Sequence, residues 1–244
     1  MRFEGSPPWY VPDSPLPPAR RIAVIAPHPD DFDVIGITLR SFHRAGAEIA
    51  VSVLSSGASG VDEDFVSDAA PDAKRRTRER EQAASCAFFG LPAERLHFLR
   101  LAEDEHGHLA ASDANLERVA EFLSQCQPEL VFLPHGNDSN LAHQRTFAMV
   151  ADALSRQRSA ATLWLNRDPK TIAMREDVYV VFDDEGAEWK RALLRHHDSQ
   201  QSRNLRVRGH GFDERILRAN AQIALSAGRP GAFAESFELR QASP

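Results

Sequence analysis

The sequence predicts a single three-layer α/β/α domain, Rossmann-like, with a mostly parallel sheet. Three observations lead there. Apolar runs of strand length alternate with longer amphipathic runs. The strand runs are apolar at consecutive positions, the pattern of a strand covered by helices on both faces. Pro, Gly, Asn or Asp separates each pair, and no linker-like Pro/Gly/Ser block divides the chain.

The elements follow in order. RIAVIA (21–26) reads as a buried strand, IGITLRSFHRAG (35–46) as a helix stopped by Gly46, and EIAVSVLSSG (48–57) as the next strand and its exit. A long polar, acidic loop, 57–73, precedes the helix TREREQAASCAFFG ending at Gly90. Then come strand RLHFLRL (95–101), helix DANLERVAEFLSQC (113–126), strand ELVFLP (129–134) and helix LAHQRTFAMVADALSRQ (141–157). The last third supplies strands TLWLN and VYVVFD and helices AEWKRALLRHH and DERILRANAQIALSAG. Residues 1–20 hold six prolines and are expected to form an extended arm, with Trp9 and Tyr10 as anchors; residues 21–244 form the domain.

With 244 residues the chain buries a full core without staples. Cys86 and Cys126 lack the spacing of a metal knuckle or disulfide framework and read as free thiols of a reducing compartment. A formal charge of −6 argues against nucleic acid or an anionic membrane as partner. The basic run KRRTRERE (74–81) is broken by glutamates and reads as a solvated helix face. No apolar stretch approaches a membrane span, and the N-terminus has no apolar signal-like region, so a cytoplasmic location is expected.

In a parallel sheet the C-terminal strand ends share one edge, where ligands bind. His28, Asp30 and Asp31 lie just past the first long strand; His135, Asp138, Asn140 and His143 lie just past ELVFLP. Two imidazoles and a carboxylate on one edge make a three-ligand set that suits zinc and leaves a coordination position for water. A neighbouring carboxylate outside the ligand set is then the natural base.

These segments resemble the PIG-L/LmbE family of metal-dependent N-deacetylases, whose hallmark is HPDD after the first strand and a later D-x-H-x-x-H-like segment opening a helix. Here they read PHPDDFD and NDSNLAH. Arg78 and Glu81, the stretch KRALLRHHDSQ (190–200) and AESFELR (234–240) add ordered matches over most of residues 21–240. The resemblance implies His28, Asp31 and His143 as ligands of zinc or another divalent transition metal, with Asp30 as general base. It also implies substrate contacts from Arg78 and, more weakly, Asp104, and a ligand-orienting or helix-capping Asp138. The implied reaction removes a small acyl group from an N-acylated amino sugar or conjugate, and subunit association is expected from the arm and from oligomeric relatives.

Two positions depart from the family pattern. Asn140 stands where a histidine is usual; an amide can donate a hydrogen bond to an oxyanion but cannot supply a proton at neutral pH. Phe32 stands where Glu is common, with Asp33 as the nearest carboxyl for its polar role. His106, His108 and His135 are alternative acids. Two rivals exist: a haloacid-dehalogenase-like magnesium phosphatase with Asp31 as nucleophile and Asp33 as acid, or a non-catalytic binding protein that keeps the metal cup.

Overall fold

A computed structural model describes residues 3–11, 15–106 and 108–242. Residues 1, 2 and 12–14 of the expected arm, and residues 243 and 244 of the expected domain, lie outside the described residues. The chain runs β1 (Trp9–Val11), β2 (Arg21–Ala26), α1 (Gly36–Arg44), β3 (Glu48–Val53), α2 (Pro71–Phe89), β4 (Leu96–Phe98), α3 (Asp113–Cys126) and β5 (Leu130–Pro134). It continues through α4 (Leu141–Arg156), β6 (Thr162–Asn166), β7 (Val178–Phe182), α5 (Asp184–Leu194), α6 (Asp198–Arg208), α7 (Phe212–Ser226) and β8 (Phe233–Gln241).

One eight-stranded sheet has the order β1-β7-β8-β6-β5-β2-β3-β4. All pairings are parallel except those of β8, which runs antiparallel between β6 and β7. Alternate residues of β2 feed two cores, as a doubly covered strand must. Ile22, Val24 and Ala26 pack with Leu39 and Phe42 of α1, Phe89 of α2, Leu193 of α5 and Phe212 of α7. Ala23 and Ile25 pack on the other face with Val119 and Leu123 of α3 and Val150 and Leu154 of α4. Helices thus cover both faces of the sheet.

Three elements, α6, β1 and β8, lay beyond the sequence expectation. The segment DSQQSRNLRVR has no apolar stripe, yet forms α6, which buries only Ser199 and Asn204. Strand β1 joins the sheet edge beside β7, with Tyr10 stacked on Tyr179 at 5.2 Å and Trp9 on Phe3 at 4.8 Å. The basic run on α2 is only half solvated: Thr77, Arg78, Glu81 and Gln82 turn inward at helical spacing. Both cysteines are free, Cys86 buried and Cys126 half-buried.

The order matters for function. Strand β2 sits between β3 and β5, so the connections leaving β2 and β5 diverge and open a crevice at their C-terminal ends. A buried ion pair braces the back of that crevice. Lys190 of α5 donates to Glu235 at 2.6 Å and to the Val34 carbonyl at 2.5 Å. Glu235 also accepts the Ile37 and Thr38 amides at 3.1 and 2.8 Å, an anion at the N-terminus of α1. No helix among the described residues is long and apolar enough to cross a membrane.

Candidate active site

Past Ala26 the chain turns tightly. The His28 amide donates to Asp31 Oδ2 at 2.8 Å, and the Asp33 amide to the Asp30 carbonyl at 3.0 Å. Asp30 holds φ at 100°, a left-handed conformation costing a residue with a side chain about 1–3 kcal/mol. Two residues of α2 hold it there. Gln82 Oε1 accepts the Asp30 amide at 2.8 Å, while Arg78 donates to the Pro29 carbonyl and, at 2.8 Å, to Asp30 Oδ2. The result is that adjacent carboxylates diverge: Asp31 faces the imidazoles, and Asp30 faces Arg78 through Oδ2, its Oδ1 having no hydrogen-bond partner among the described residues.

The segment after β5 supplies the other wall. Asn140 caps α4, its Oδ1 accepting the Ala142 amide at 3.0 Å, and this places His143 in the first turn. His143 is 2% exposed. Its Nε2 lies 3.5 Å from Asp31 Oδ1, and its Nδ1 lies 3.3 Å from Asp138 Oδ2 without the alignment of a hydrogen bond. The His28 and His143 rings are 5.9 Å apart, and His28 Nδ1 is 3.2 Å from Asp31 Oδ2. One donor atom from each of His28, Asp31 and His143 lies within 4.8 Å of the other two. Two borderline nitrogens and one carboxylate oxygen fit a divalent transition metal by donor type.

The electrostatics agree. Burial pushes the Asp31 carboxyl up, but the charge of His143, with His28 behind it, outweighs burial and holds it well below the usual range. Burial pulls His143 down, yet Asp31 and then Asp138 reverse this and raise it to about 10. In the metal-free protein a proton therefore occupies the place between two groups that a cation would bridge.

The cleft over this cluster measures about 240 Å³. His28, Asp30, Asp31, Arg78, Asn140 and His143 all line it. A larger hollow of about 410 Å³ beside Phe3 and Trp9 holds none of the expected site residues.

The other expected residues are placed as follows. Arg78, expected at the substrate, reaches the cleft lining but is 2% exposed, and its amino groups are committed to Pro29, Asp30, Glu81 and Ser199. Asp104 does not line the cleft; Arg145 Nη1 donates to it at 2.7 Å, and the His106 and His108 amides donate to its other oxygen. Asp138 does lie against His143, fully buried, with the Asn140 amide donating to it at 2.7 Å.

None of His106, His108 and His135 lines the cleft. His135 is buried beside Glu238, Nε2 to Oε2 at 3.3 Å, and burial lowers its pKa. Phe32 is sealed in the core against Phe89, so the position carries no polar function. Asp33 is equally sealed, bonded to Gln82, Ser85 and His197; it can be neither the substitute carboxyl nor the acid of a phosphatase.

Sequence reasoning missed Asp168. It follows β6 and lines the cleft, with a carboxylate oxygen within 4.8 Å of donor atoms of His143 and Asp138. Burial raises its carboxyl, against the opposing pull of His143. The signal was available: an acid two residues past a parallel strand's C-terminus, as with the other two clusters.

The fold and the edge of converging histidines and aspartates define a Rossmann-like α/β domain with a candidate metal site. The sequence model of the PIG-L family, described as GlcNAc-PI de-N-acetylase, matches residues 23–154, and the chain belongs to that family. No curated protein sequence matches it. Among solved structures, N,N'-diacetylchitobiose deacetylase from Pyrococcus horikoshii is similar at 18% identity and a TM-score of 0.74, over 92% of this chain and 85% of that one. 4-Carboxy-2-hydroxymuconate hydratase from Pseudomonas putida is similar at 18% identity and 0.69, over 90% and 95%. The zinc-inhibited form of teicoplanin deacetylase is similar at 16% identity and 0.65, over 91% and 98%. At these identities the likeness is one of fold. The fold carries both amide hydrolysis and hydration, so the residues of the cleft must choose between them.

Proposed function

We propose that the chain is a metal-dependent hydrolase that removes an acetyl or other small acyl group from the amide nitrogen of an amino sugar or sugar conjugate. The observation that carries this is the divergence of Asp30 from Asp31: one carboxylate faces two imidazoles, while its neighbour stands in the same cleft with a free oxygen. His28, Asp31 and His143 would hold zinc or another divalent transition metal. Such an ion supplies a Lewis acid that polarises water and the acyl oxygen.

The chain's own groups do the rest. Asp30 Oδ1 accepts the proton of the attacking water, and Arg78 keeps Oδ2 fixed so that the free oxygen stays in the cleft. Asn140 spends Oδ1 on its helix cap, and its Nδ2, with no hydrogen-bond partner among the described residues, serves as a donor to the developing oxyanion. Protonated Asp30 then returns its proton to the departing amine. Asp168, whose carboxyl holds a proton more readily than an ordinary aspartate, is a second donor across the cleft. Asp138 orients His143 from behind.

Acetate release from N-acetylglucosamine, N,N'-diacetylchitobiose and lipid- or aglycone-linked N-acylglucosamines tests the reading. Metal-loaded wild type is expected to release acetate from at least one. Asp30→Asn should keep its metal and lose about 10²–10⁴-fold in kcat, whereas His143→Ala should lose the metal. Metal-loaded protein that releases no carboxylic acid from any amide, but hydrates a carboxylated enol or diene, overturns it.

A further inference from the structure

His197 and Ser199, from the stretch at 190–200, are both buried, and neither lines the cleft. His197 stands immediately before α6 and Ser199 in its first turn, and each holds a carboxyl group. His197 Nε2 lies 2.8 Å from Asp33 Oδ2, while the Ser199 amide and hydroxyl both donate to Glu81 at 2.7 Å. Asp33 and Glu81 are themselves buried outside the cleft. So many buried polar groups are costly unless each is satisfied, and here their bonds lead to one place, Asp30.

One line of bonds runs through Gln82 of α2. Its Nε2 donates to Asp33 Oδ2 at 3.1 Å and to the Cys86 sulfur at 3.5 Å, and its Oε1 accepts the Asp30 amide at 2.8 Å. Ser85 donates to the other oxygen of Asp33, so three donors converge on that carboxyl and it acts as an acceptor alone. A backbone N–H only donates. Gln82 therefore fits between Asp30 and Asp33 in one orientation, and turning its amide over would set donor against donor and acceptor against acceptor. The second line runs through Arg78. Glu81 accepts from Arg78 Nη1 at 3.4 Å, and Arg78 Nη2 donates to Asp30 Oδ2 at 2.8 Å. The backbone of Asp30 is thus held from Asp33, and its carboxylate from Glu81.

We propose that Asp33 and His197 are positioning residues: they set the orientation of the Gln82 amide, which holds Asp30 at φ 100° and keeps its carboxylate in the cleft. The role of Asp30 as base rests on the hydrolase reading; the bonds that hold it do not. A left-handed aspartate persists only where its surroundings over-determine it. Without an oriented acceptor at position 82 the Asp30 peptide relaxes towards an ordinary conformation, and the carboxylate loses its line to the attacking water. Asp33 and His197 exchange no proton with substrate.

Two pairs of full-length variants test this, each read by kcat, KM, metal content and the exchange rate of the Asp30 amide hydrogen in NMR. Gln82→Glu sets two carboxylates face to face; it should speed that exchange and lower kcat, each about tenfold or more, with KM and metal content unchanged. Asp33→Asn/Gln82→Glu restores a donor facing an acceptor, with the carboxylate moved to position 82, and should recover most of the loss in both readouts. His197→Leu removes a donor to Asp33 and should lower kcat about threefold or more, whereas His197→Gln, which can present an N–H at the same place, should stay within about twofold of wild type.

A folded Asp33→Asn/Gln82→Glu protein no better than Gln82→Glu overturns the positioning role, as does an Asp30 amide that exchanges alike in wild type, Gln82→Glu and His197→Leu. Where Gln82→Glu does not fold, a double variant that folds with wild-type exchange at Asp30 supports the role, and one that folds with fast exchange overturns it. Acyl release unaltered by every variant overturns the positioning and spares the hydrolase. Exchange that follows the expected pattern in a metal-loaded protein releasing no acyl product spares the positioning and overturns the hydrolase.

Discussion

The proton held by His143 and Asp31 should compete with the metal, and the competition can be sized. In the metal-free protein His143 is raised to about 10 because Asp31 and Asp138 outweigh its burial. A metal that takes Nε2 must expel that proton. At pH 7, three units below that value, the displacement weakens apparent binding on the order of a thousandfold, about 4 kcal/mol. Apparent metal affinity should therefore rise about tenfold per pH unit from pH 6 to pH 9 and flatten near pH 10. The sign for stability is opposite. His143 is raised above its ordinary 6.5, so its pairing stabilises the metal-free fold fully below about pH 6.5 and is lost as pH climbs towards about 10. Chelator competition across this range measures the first effect, and melting of the metal-free protein measures the second. Apparent affinity independent of pH between 6 and 9 refutes the coupled pair.

Three further outcomes follow from the same contacts. Asp138→Asn removes a cause of the raised His143 pKa, so the pH-dependent range of metal affinity should end at a lower pH, as the same competition assay will read. Lys190→Met strands the buried Glu235 carboxylate and should cost about 3–5 kcal/mol in denaturant unfolding, with Lys190→Met/Glu235→Leu costing less than either single change. Gln82→Leu deprives the Asp30 amide and Asp33 of an acceptor and a donor; kcat should fall at least tenfold with metal content retained, and loss of the metal instead would show that Gln82 supports the ligands rather than the base.

The legible parts of the molecule were those whose cause is local. RIAVIA, DANLERVAEFLSQC and TLWLN coincide with β2, α3 and β6 because apolar spacing and flanking turns are encoded within each segment. Helix α6 escaped because its polar face is its only face; neighbouring elements, not periodicity, make it a helix. Strand β8 was visible only as a matching motif. Its placement between β6 and β7 depends on partners such as Trp164 opposite Leu239 and Val180 opposite Glu235, far away in sequence.

The site divides the same way. HPDD and NLAH announce themselves by composition at strand ends, whereas the fate of each acid depends on tertiary surroundings. Asp33 and Asp30 look alike in sequence, yet one is sealed against His197 and the other stands in the cleft. Asp104 satisfied a loop and Arg145, and Arg78 satisfied Asp30, because a charged group takes the nearest partner that burial permits. Asp168 was overlooked because its signal, a single acid just past a strand's C-terminus, stands out only once its spatial neighbours are known.

A crystal of the zinc-loaded protein, with anomalous scattering recorded at the zinc edge, tests the assembly of this site most directly. The account predicts one strong peak at about 2.0–2.2 Å from a nitrogen of His28, a nitrogen of His143 and an oxygen of Asp31, with Asp30 outside bonding distance. A peak held by Asp138 and Asp168 instead, or imidazoles at 28 and 143 bonded to separate ions, contradicts it.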